Sequence, residues 1–126
     1  MTQKAIERVR VVVDQPESMN LLGLLMKGLL AKNLSDDDLF YRARAAKTDV
    51  LVQAGEMKVT LRLGEGGITI LRGDAGSAGA SVAGDMKTLL GVVAEGKMVA
   101  PFLSGRLKIG GNPLVLLRML PMIRAR

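Results

Sequence analysis

The C-terminal stretch of this chain most constrains how the chain can fold. From Leu114 to Ile123 the only charged residue is Arg118, so a helix formed here is apolar on nearly every side. Asn112 and Pro113 come directly before it, and these residue types favour a helix start at these positions. Such a helix cannot lie uncovered, so the rest of the chain has to supply an apolar surface for it.

Length and composition restrict the class of protein. A chain of 126 residues with 48% hydrophobic and 24% charged residues supports one core, so we predict a single domain over residues 1–126. The absence of Cys and His removes disulfides, thiolate and imidazole chemistry, and almost all zinc or haem ligation. No apolar run reaches the ~20 residues that span a bilayer, and we expect no secretory signal at the start, which lacks a basic patch followed by an apolar segment. We therefore predict a cytoplasmic location.

The net charge of +6 is compatible with acidic partners, either nucleic acid or an anionic membrane surface. One Tyr and two Phe are too few rings for a base-stacking surface, so no nucleic-acid partner is expected. An RNA-binding basic sheet face is the weaker alternative, and it predicts an affinity that falls steeply with salt. The eight Met residues indicate an adaptable interior or groove.

Residues 1–48 are predicted to be the helical N-terminal part. Residues 5–13 fit a helix at their start and a strand at their β-branched end, and the two alternatives stay open. Glu17 is predicted to open a helix that runs to about Lys32. The three aspartates after Ser35 fit the first turn of a second helix, capped by Ser35, better than a metal site. No metal or cofactor is predicted.

Residues 49–112 are predicted to form a sheet that contains an inserted helical part, residues 85–103. Apolar and polar residues alternate on both sides of a glycine-rich connection at residues 64–67, which indicates a hairpin. These glycines join strand to strand, so a phosphate-binding loop is not indicated. Asp85 is the predicted cap of the inserted helix, and a last strand is predicted at residues 106–109.

The strand pattern indicates a sheet with one packed face and one wet face. The predicted wet face presents Lys58, Thr60, Arg62, Thr69, Arg106 and Lys108. Four apolar helical segments compete for the packed face, namely residues 21–30, 89–93, 99–103 and 114–123. One face of a small five-stranded sheet does not need so much apolar helix. The excess indicates an internal cavity or an interface.

Residues 96–112 resemble a known family. Gly96-Lys97, Pro101-Phe102-Leu103 and above all Ser-Gly-Arg-Leu-Lys-Ile-Gly-Gly-Asn at residues 104–112 resemble the sterol carrier protein type 2 (SCP2) domain, and the resemblance extends over residues 49–123. It implies an α+β fold with a five-stranded, mostly antiparallel sheet whose one face is covered by helices. It also implies an apolar tunnel between sheet and helices, with the C-terminal helix, residues 113–126, as its lid.

The resemblance implies non-catalytic binding and transfer or presentation of a lipid. The ligand classes are a fatty acyl chain, a phospholipid, a sterol-like molecule or an isoprenoid quinone-like molecule, and the scarcity of aromatic residues favours flexible chains. Members of the family also act as accessory domains, including in bacterial ubiquinone biosynthesis. The ending Arg124-Ala125-Arg126 differs from the peroxisomal tripeptide of eukaryotic members, which predicts a bacterial-type, stand-alone member. No enzyme is predicted, because no nucleophile, base and orienting residue can be named together.

The predicted tunnel lining is a set of apolar residues, each of which taken singly fits an ordinary core. The set is Leu21, Leu25, Met26, Val59, Leu61, Leu90, Val93, Phe102, Leu114, Leu117 and Met122. Four basic residues are expected to contact lipid headgroups or an anionic membrane surface, with plain solubility as the alternative role: Lys97, Arg118, Arg124 and Arg126. The alternative function is an accessory module whose apolar C-terminal helix docks on a second copy or on a partner enzyme, for example in a lipid or ubiquinone biosynthesis complex.

Overall fold

A computed structural model describes residues 10–96 and 99–123. The elements follow in the order β1 (Val11–Val13), a 3-10 turn (Pro16–Ser18), α1 (Leu21–Asn33), α2 (Asp37–Ala46), β2 (Thr48–Ala54), β3 (Met57–Gly64), β4 (Gly67–Arg72), β5 (Ala78–Gly84), α3 (Met86–Glu95), α4 (Val99–Leu103), β6 (Lys108–Gly111) and α5 (Pro113–Ile123). The predicted α+β class is confirmed. β2 begins at Thr48 and α5 begins at Pro113, while the predicted division of a single domain into three parts stays a prediction.

The described residues form a mixed sheet of six strands in the order β1-β4-β3-β2-β5-β6, where the sequence predicted five mostly antiparallel strands. The additional strand is β1, the β-branched end of the segment that the sequence left undecided, and it pairs in parallel with β4. β2 and β5 form a second parallel pair. Both parallel pairs join strands that are distant in sequence, so local periodicity carries no signal for them.

The helices cover one face of the sheet. α1 packs on β1, β3 and β4, α2 packs on β3 and β4, and both α3 and α5 pack on β5. In the ladder between β2 and β3, Val50 pairs with Leu61 and Val52 pairs with Val59. All four side chains are buried against the helices, as the period of two predicts for one packed face.

The outer face of the sheet is less wet than the sequence predicted. Thr60 lies on this face but is only 1% exposed, because the loop of residues 73–77 folds over it. The Thr60 hydroxyl donates to the Gly73 carbonyl at 2.8 Å and accepts from the Ala75 N–H at 3.0 Å. Beside it, the Ser77 hydroxyl donates to Asp49, which also forms an ion pair with Arg62. The prediction that Thr60 is wet was therefore wrong.

Two helices begin later than the sequence predicted. α1 begins at Leu21 rather than Glu17, because the preceding residues form the 3-10 turn and the Asn20 side chain accepts from the Gly23 N–H at 2.9 Å. The cap of α2 is Asp36 rather than Ser35, whose hydroxyl turns back to the Lys32 carbonyl. Side chains compete locally for these backbone groups, so cap positions are easily misassigned by one residue.

The predicted caps of the last two long helices are confirmed. Asp85 accepts from the Thr88 N–H at 2.7 Å, and Asn112 accepts from the Leu114 N–H at 3.0 Å. The last strand begins two residues later than predicted. The N–H groups of the two residues before it donate to the Pro101 carbonyl instead of joining the sheet.

The three aspartates at positions 36–38 have structural roles. Asp36 caps α2, Asp37 accepts from Arg10 at 2.8 Å, and Asp38 lies 3.6 Å from Arg42. Arg10 also donates to the Leu34 carbonyl at 2.7 Å and lies 4.2 Å from the centre of the Phe40 ring. These contacts fasten the residue before β1 to the junction between α1 and α2.

Candidate functional site

An apolar cavity lies between the helices and the packed face of the sheet. α1, α3 and α5 form its walls, and β2, β3 and β5 form its floor. All sixteen lining residues are apolar: Leu22, Leu25, Met26, Leu29, Val50, Val52, Leu61, Val82, Met86, Leu89, Leu90, Val92, Val93, Leu116, Met119 and Ile123. These side chains offer an ordered water no hydrogen-bond partner.

The cavity is narrow in this structure. Its volume is about 50 Å³, while all the empty space between the lining atoms, out to the open mouth, is about 670 Å³. Ligand pockets for small molecules are typically ~300–1,000 Å³, so a long hydrocarbon chain enters only if the walls separate. Met26, Met86 and Met119 are part of the lining. Their unbranched side chains can change rotamer, which lets the space widen without breaking a polar contact.

Helical spacing explains how the walls form. Leu22, Met26 and Leu29 recur at intervals of four and three residues along α1 and therefore share one face. Leu116, Met119 and Ile123 do the same along α5. The floor follows from the alternation of the strands, which turns Val50, Val52, Leu61 and Val82 towards the helices.

The structure brings together five of the eleven residues that the sequence singled out for the tunnel, namely Leu25, Met26, Leu61, Leu90 and Val93. Val59 is fully buried against the N-terminal end of α1, outside the cavity. Met122 is buried and lines a groove on the far side of α5. The other four are about half exposed on the surface: Leu21, Phe102, Leu114 and Leu117.

Eleven of the lining residues were not predicted from the sequence. They are Leu22, Leu29, Val50, Val52, Val82, Met86, Leu89, Val92, Leu116, Met119 and Ile123. For the strand residues the signal was available, since the alternation that includes Leu61 also includes its ladder partner on β2. For α1 and α5 the sequence signal was weak, because the pattern of a helix that is apolar on most sides does not indicate which side faces inward.

The four predicted headgroup contacts divide into two groups. Arg118 is exposed on α5 and lines the groove on the far side of that helix rather than the cavity. The other three, Lys97, Arg124 and Arg126, lie outside the described residues. The expected contact of all four residues with lipid headgroups or an anionic membrane surface therefore stays a prediction.

The electrostatics of the cavity are simple, because none of the described residues that line it ionises. The hydrogen bond from Arg62 lowers the pKa of Asp49, and the Ser77 hydroxyl adds to this, but the three residues belong to the outer face of the sheet. Among the residues that the structure describes, no three acidic residues are grouped so that they could hold a metal ion. The chemistry that this cavity can supply is the burial of hydrocarbon.

Exposed apolar side chains lie close to the cavity wall formed by α1 and α3. Leu25 and Leu90 line the cavity and are also 40% and 47% exposed. Leu21 and Leu24 are exposed as well. Leu21 lies one turn before Leu25 on α1, and Leu24 directly precedes Leu25. Within residues 10–96 and 99–123, no helix has the length and apolar composition needed to cross a bilayer.

A helix-covered mixed sheet with a purely apolar cavity beneath the helices defines an α+β domain of the hydrophobic-ligand-binding class. A family model described as the SCP-2 sterol transfer family matches residues 26–123. The match covers more than half of the chain, so the chain belongs to this family. Domains of this family are in general non-catalytic modules that bind or transfer lipids. No curated protein sequence gave a significant match.

Solved structures share the fold. The UbiJ-SCP2 ubiquinone synthesis protein superposes with a TM-score of 0.66 at 17% identity, covering 86% of this chain and 90% of that one. The apo sterol carrier protein 2 from Yarrowia lipolytica gives a TM-score of 0.59 at 16% identity, covering 86% and 99%. The sec-alkylsulfatase Pisa1 from Pseudomonas sp. gives 0.70 at 16% identity, but the match covers 85% of this chain and only 17% of that enzyme. At these identities the similarity concerns the fold.

Proposed function

We propose that this protein binds the hydrocarbon part of a lipid in the cavity between helices and sheet, and carries or presents that lipid without chemically changing it. The observation that carries the proposal is that the sixteen lining side chains in the described part of the chain are all apolar. Membership of a family of lipid-binding and lipid-transfer domains supports it. The ligand classes to test are fatty acyl chains, phospholipids, sterol-like molecules and isoprenoid quinone-like molecules.

The energetics favour exchange over permanent capture. Removing a 16-carbon chain from water is worth roughly 12 kcal/mol at about 0.8 kcal/mol per methylene, before association costs of ~4–15 kcal/mol. A chain drawn from a bilayer gains almost nothing, because it was already in an apolar medium. The empty 50 Å³ cavity costs the free protein about 1 kcal/mol. A ligand therefore has only a small incentive to stay, which suits a carrier.

The exposed leucines beside the cavity support a second element of the proposal, transient contact with an anionic membrane surface. Leu24 and Leu90 are exposed, and Lys27 and Lys87 lie three residues from them on the same helices. Leucines can enter the interface while the ammonium groups meet anionic headgroups, each worth ~1 kcal/mol near the surface. The cytoplasmic location and the bacterial type inferred from the sequence stay predictions.

Two measurements test lipid binding. Denaturing the purified protein in organic solvent and analysing the extract by mass spectrometry should release a lipid, and a fluorescent fatty acid should be taken up by the emptied protein. Val82→Phe should weaken uptake by at least about tenfold, because the larger ring occupies the cavity floor. The matched control is Val12→Phe, the same change at an exposed position of β1.

A blank extract together with no uptake would refute lipid binding and favour the accessory-module function. That alternative has its own support in the exposed apolar side chains of α4 and α5, Leu103, Leu114 and Leu117. The UbiJ-SCP2 relative is a ubiquinone synthesis protein, so a partner enzyme in such a pathway is one form of this alternative. It predicts that the size of the protein in solution rises with concentration and that Leu114→Gln with Leu117→Gln removes the rise.

A further inference from the structure

A second groove lies on the opposite side of α5 from the cavity. It runs between α2 and α5, has a volume of about 340 Å³ and is lined by Tyr41, Arg42, Ala45, Ala46, Leu63, Val115, Arg118, Met119 and Met122. Leu116 and Ile123 of α5 face the cavity, whereas Val115 and Arg118 face the groove, and Met119 borders both. α5 is therefore a wall between two separate spaces.

The groove combines two guanidinium groups with an apolar floor. Arg42 comes from α2 and Arg118 from α5, and none of the described residues that line the groove is acidic. The ion pair of Arg42 with Asp38 is 3.6 Å long, and both side chains are more than half exposed, so it holds Arg42 only weakly. Within the described part of the chain, Arg118 has no ion-pair partner. Both guanidinium groups can therefore turn to an incoming anion.

We propose that this groove binds the oxyanion head of an amphiphile, a carboxylate or a phosphate carried on a hydrocarbon chain. Arg42 and Arg118 supply charged hydrogen-bond donors that match the geometry of such oxyanions. The Tyr41 hydroxyl, at the same groove, is a further donor. The first carbons of the chain lie against Ala46 and Val115, and the buried Leu63 and Met122 form the apolar floor beneath them. This site is separate from the cavity and does not depend on what the cavity holds.

The apolar floor is the reason to expect an amphiphile rather than a free anion. A free phosphate uses only the two arginines, whereas an attached chain also covers the partly exposed apolar side chains of Ala46 and Val115. Each methylene that becomes buried strengthens binding by about fourfold. Affinity should therefore rise with chain length until the groove is filled, and this rise separates a lipid-like ligand from inorganic phosphate.

Tyr41 provides a direct readout of the groove. It is the single Tyr of the chain, and there is no Trp, so the intrinsic fluorescence of the protein reports on this position. The probes are octyl phosphate, octanoate, inorganic phosphate and the uncharged octanol. Octyl phosphate and octanoate should change the emission saturably and bind at least about tenfold more tightly than either inorganic phosphate or octanol.

The double variant Arg42→Gln/Arg118→Gln should bind octyl phosphate about tenfold to a hundredfold more weakly. This is the range expected for the loss of charged hydrogen bonds. The matched control is Lys58→Gln with Lys108→Gln, which removes the same charge from exposed positions on the sheet and should leave binding within about twofold. Arg118→Gln alone is the second variant and should give a partial loss.

Three results would overturn the proposal. The first is equal binding of octanol and octyl phosphate, with no effect of the arginine variants. This result would show that the groove has no oxyanion site. The second is inorganic phosphate binding as tightly as octyl phosphate, which would leave an ordinary anion-binding patch. The third is loss of the Tyr41 response in Val82→Phe, which would mean that the probe enters through the cavity. Failed uptake of fatty acid by the cavity, with the Tyr41 response retained, would refute the proposed function and leave this site supported.

Discussion

Replacement of Gly23 by alanine tests how closely α1 approaches the sheet. A Cβ atom at this position would overlap the Met19 sulfur and would lie 3.3 Å from the nearest methyl carbon of Val59. Alanine is favoured over glycine in a helix by about 1 kcal/mol, while overpacking a buried site costs about 1–3 kcal/mol. Because Met19 is itself buried, we expect Gly23→Ala to change stability by between zero and about −2 kcal/mol.

Gly28→Ala is the matched control in the same helix. Gly28 is exposed and no heavy atom lies within 4 Å of the position that its Cβ would occupy, so the gain in helix propensity is not opposed. We expect this variant to be stabilised by about 1 kcal/mol. The midpoints of urea unfolding, compared at equal slope, give both values.

The difference between the two variants is the decisive quantity, because helix propensity cancels in it. It should be about 1–3 kcal/mol, which is the packing term alone. If both variants are stabilised equally, neither the Met19 side chain nor Val59 of β3 is packed tightly against Gly23. The close packing on this side of α1 would then be refuted.

Three further predictions concern contacts away from the cavity floor. Asn33→Leu removes the 2.6 Å hydrogen bond to the Met122 carbonyl, one of the last carbonyls of α5. In urea unfolding, the free energy of unfolding of this variant should fall by about 1–3 kcal/mol, and an unchanged midpoint would contradict this. The variant should also take up fluorescent fatty acid faster. Asp49 has a lowered pKa in the folded state because of the hydrogen bond from Arg62, so its stabilising contribution is complete above the unfolded value near pH 4 and is lost as pH falls through the folded value. In Asp49→Asn, the free energy of unfolding should therefore fall less steeply below about pH 4 than in the unsubstituted protein. The same dependence on pH in both proteins would show that the Asp49–Arg62 pair does not contribute to stability. Gly111→Ala should destabilise the protein by at least about 1–2 kcal/mol, because φ is +69° at this position and a Cβ atom would overlap the Gly79 carbonyl. A thermal midpoint equal to that of the unsubstituted protein would refute the close approach of β6 to β5.

Much of the fold was predictable because its signals are local. The alternation in β2 and β3, the hairpin glycines between β3 and β4, and the caps Asp85 and Asn112 each depend on a few neighbouring residues. The family resemblance of residues 104–112 is likewise read from consecutive positions. The prediction of an apolar space came from an excess of apolar helix over sheet, which is a property of composition and needs no coordinates.

The candidate site was predictable only in part, and the reason differs between helix and strand. A strand shows its inward face through the period of two, so Leu61 was assigned to the packed face from sequence alone. α1 and α5 are apolar on most sides, so their sequences do not fix the rotation about the helix axis. That ambiguity is why Leu114 and Leu117 were expected in the lining while the structure turns Leu116 and Met119 to the cavity.

Local sequence patterns were enough to predict the types of element, the family and the apolar character of the interior. The folded chain was needed to establish the parallel pairing of β1 with β4, the burial of Thr60 under its loop, and which side of α5 faces the cavity and which the groove of Arg42 and Arg118. This difference follows from the range of the interactions. Propensity, capping and periodicity act between residues a few positions apart, whereas a cavity wall or a groove is made by side chains that only the folded chain brings together.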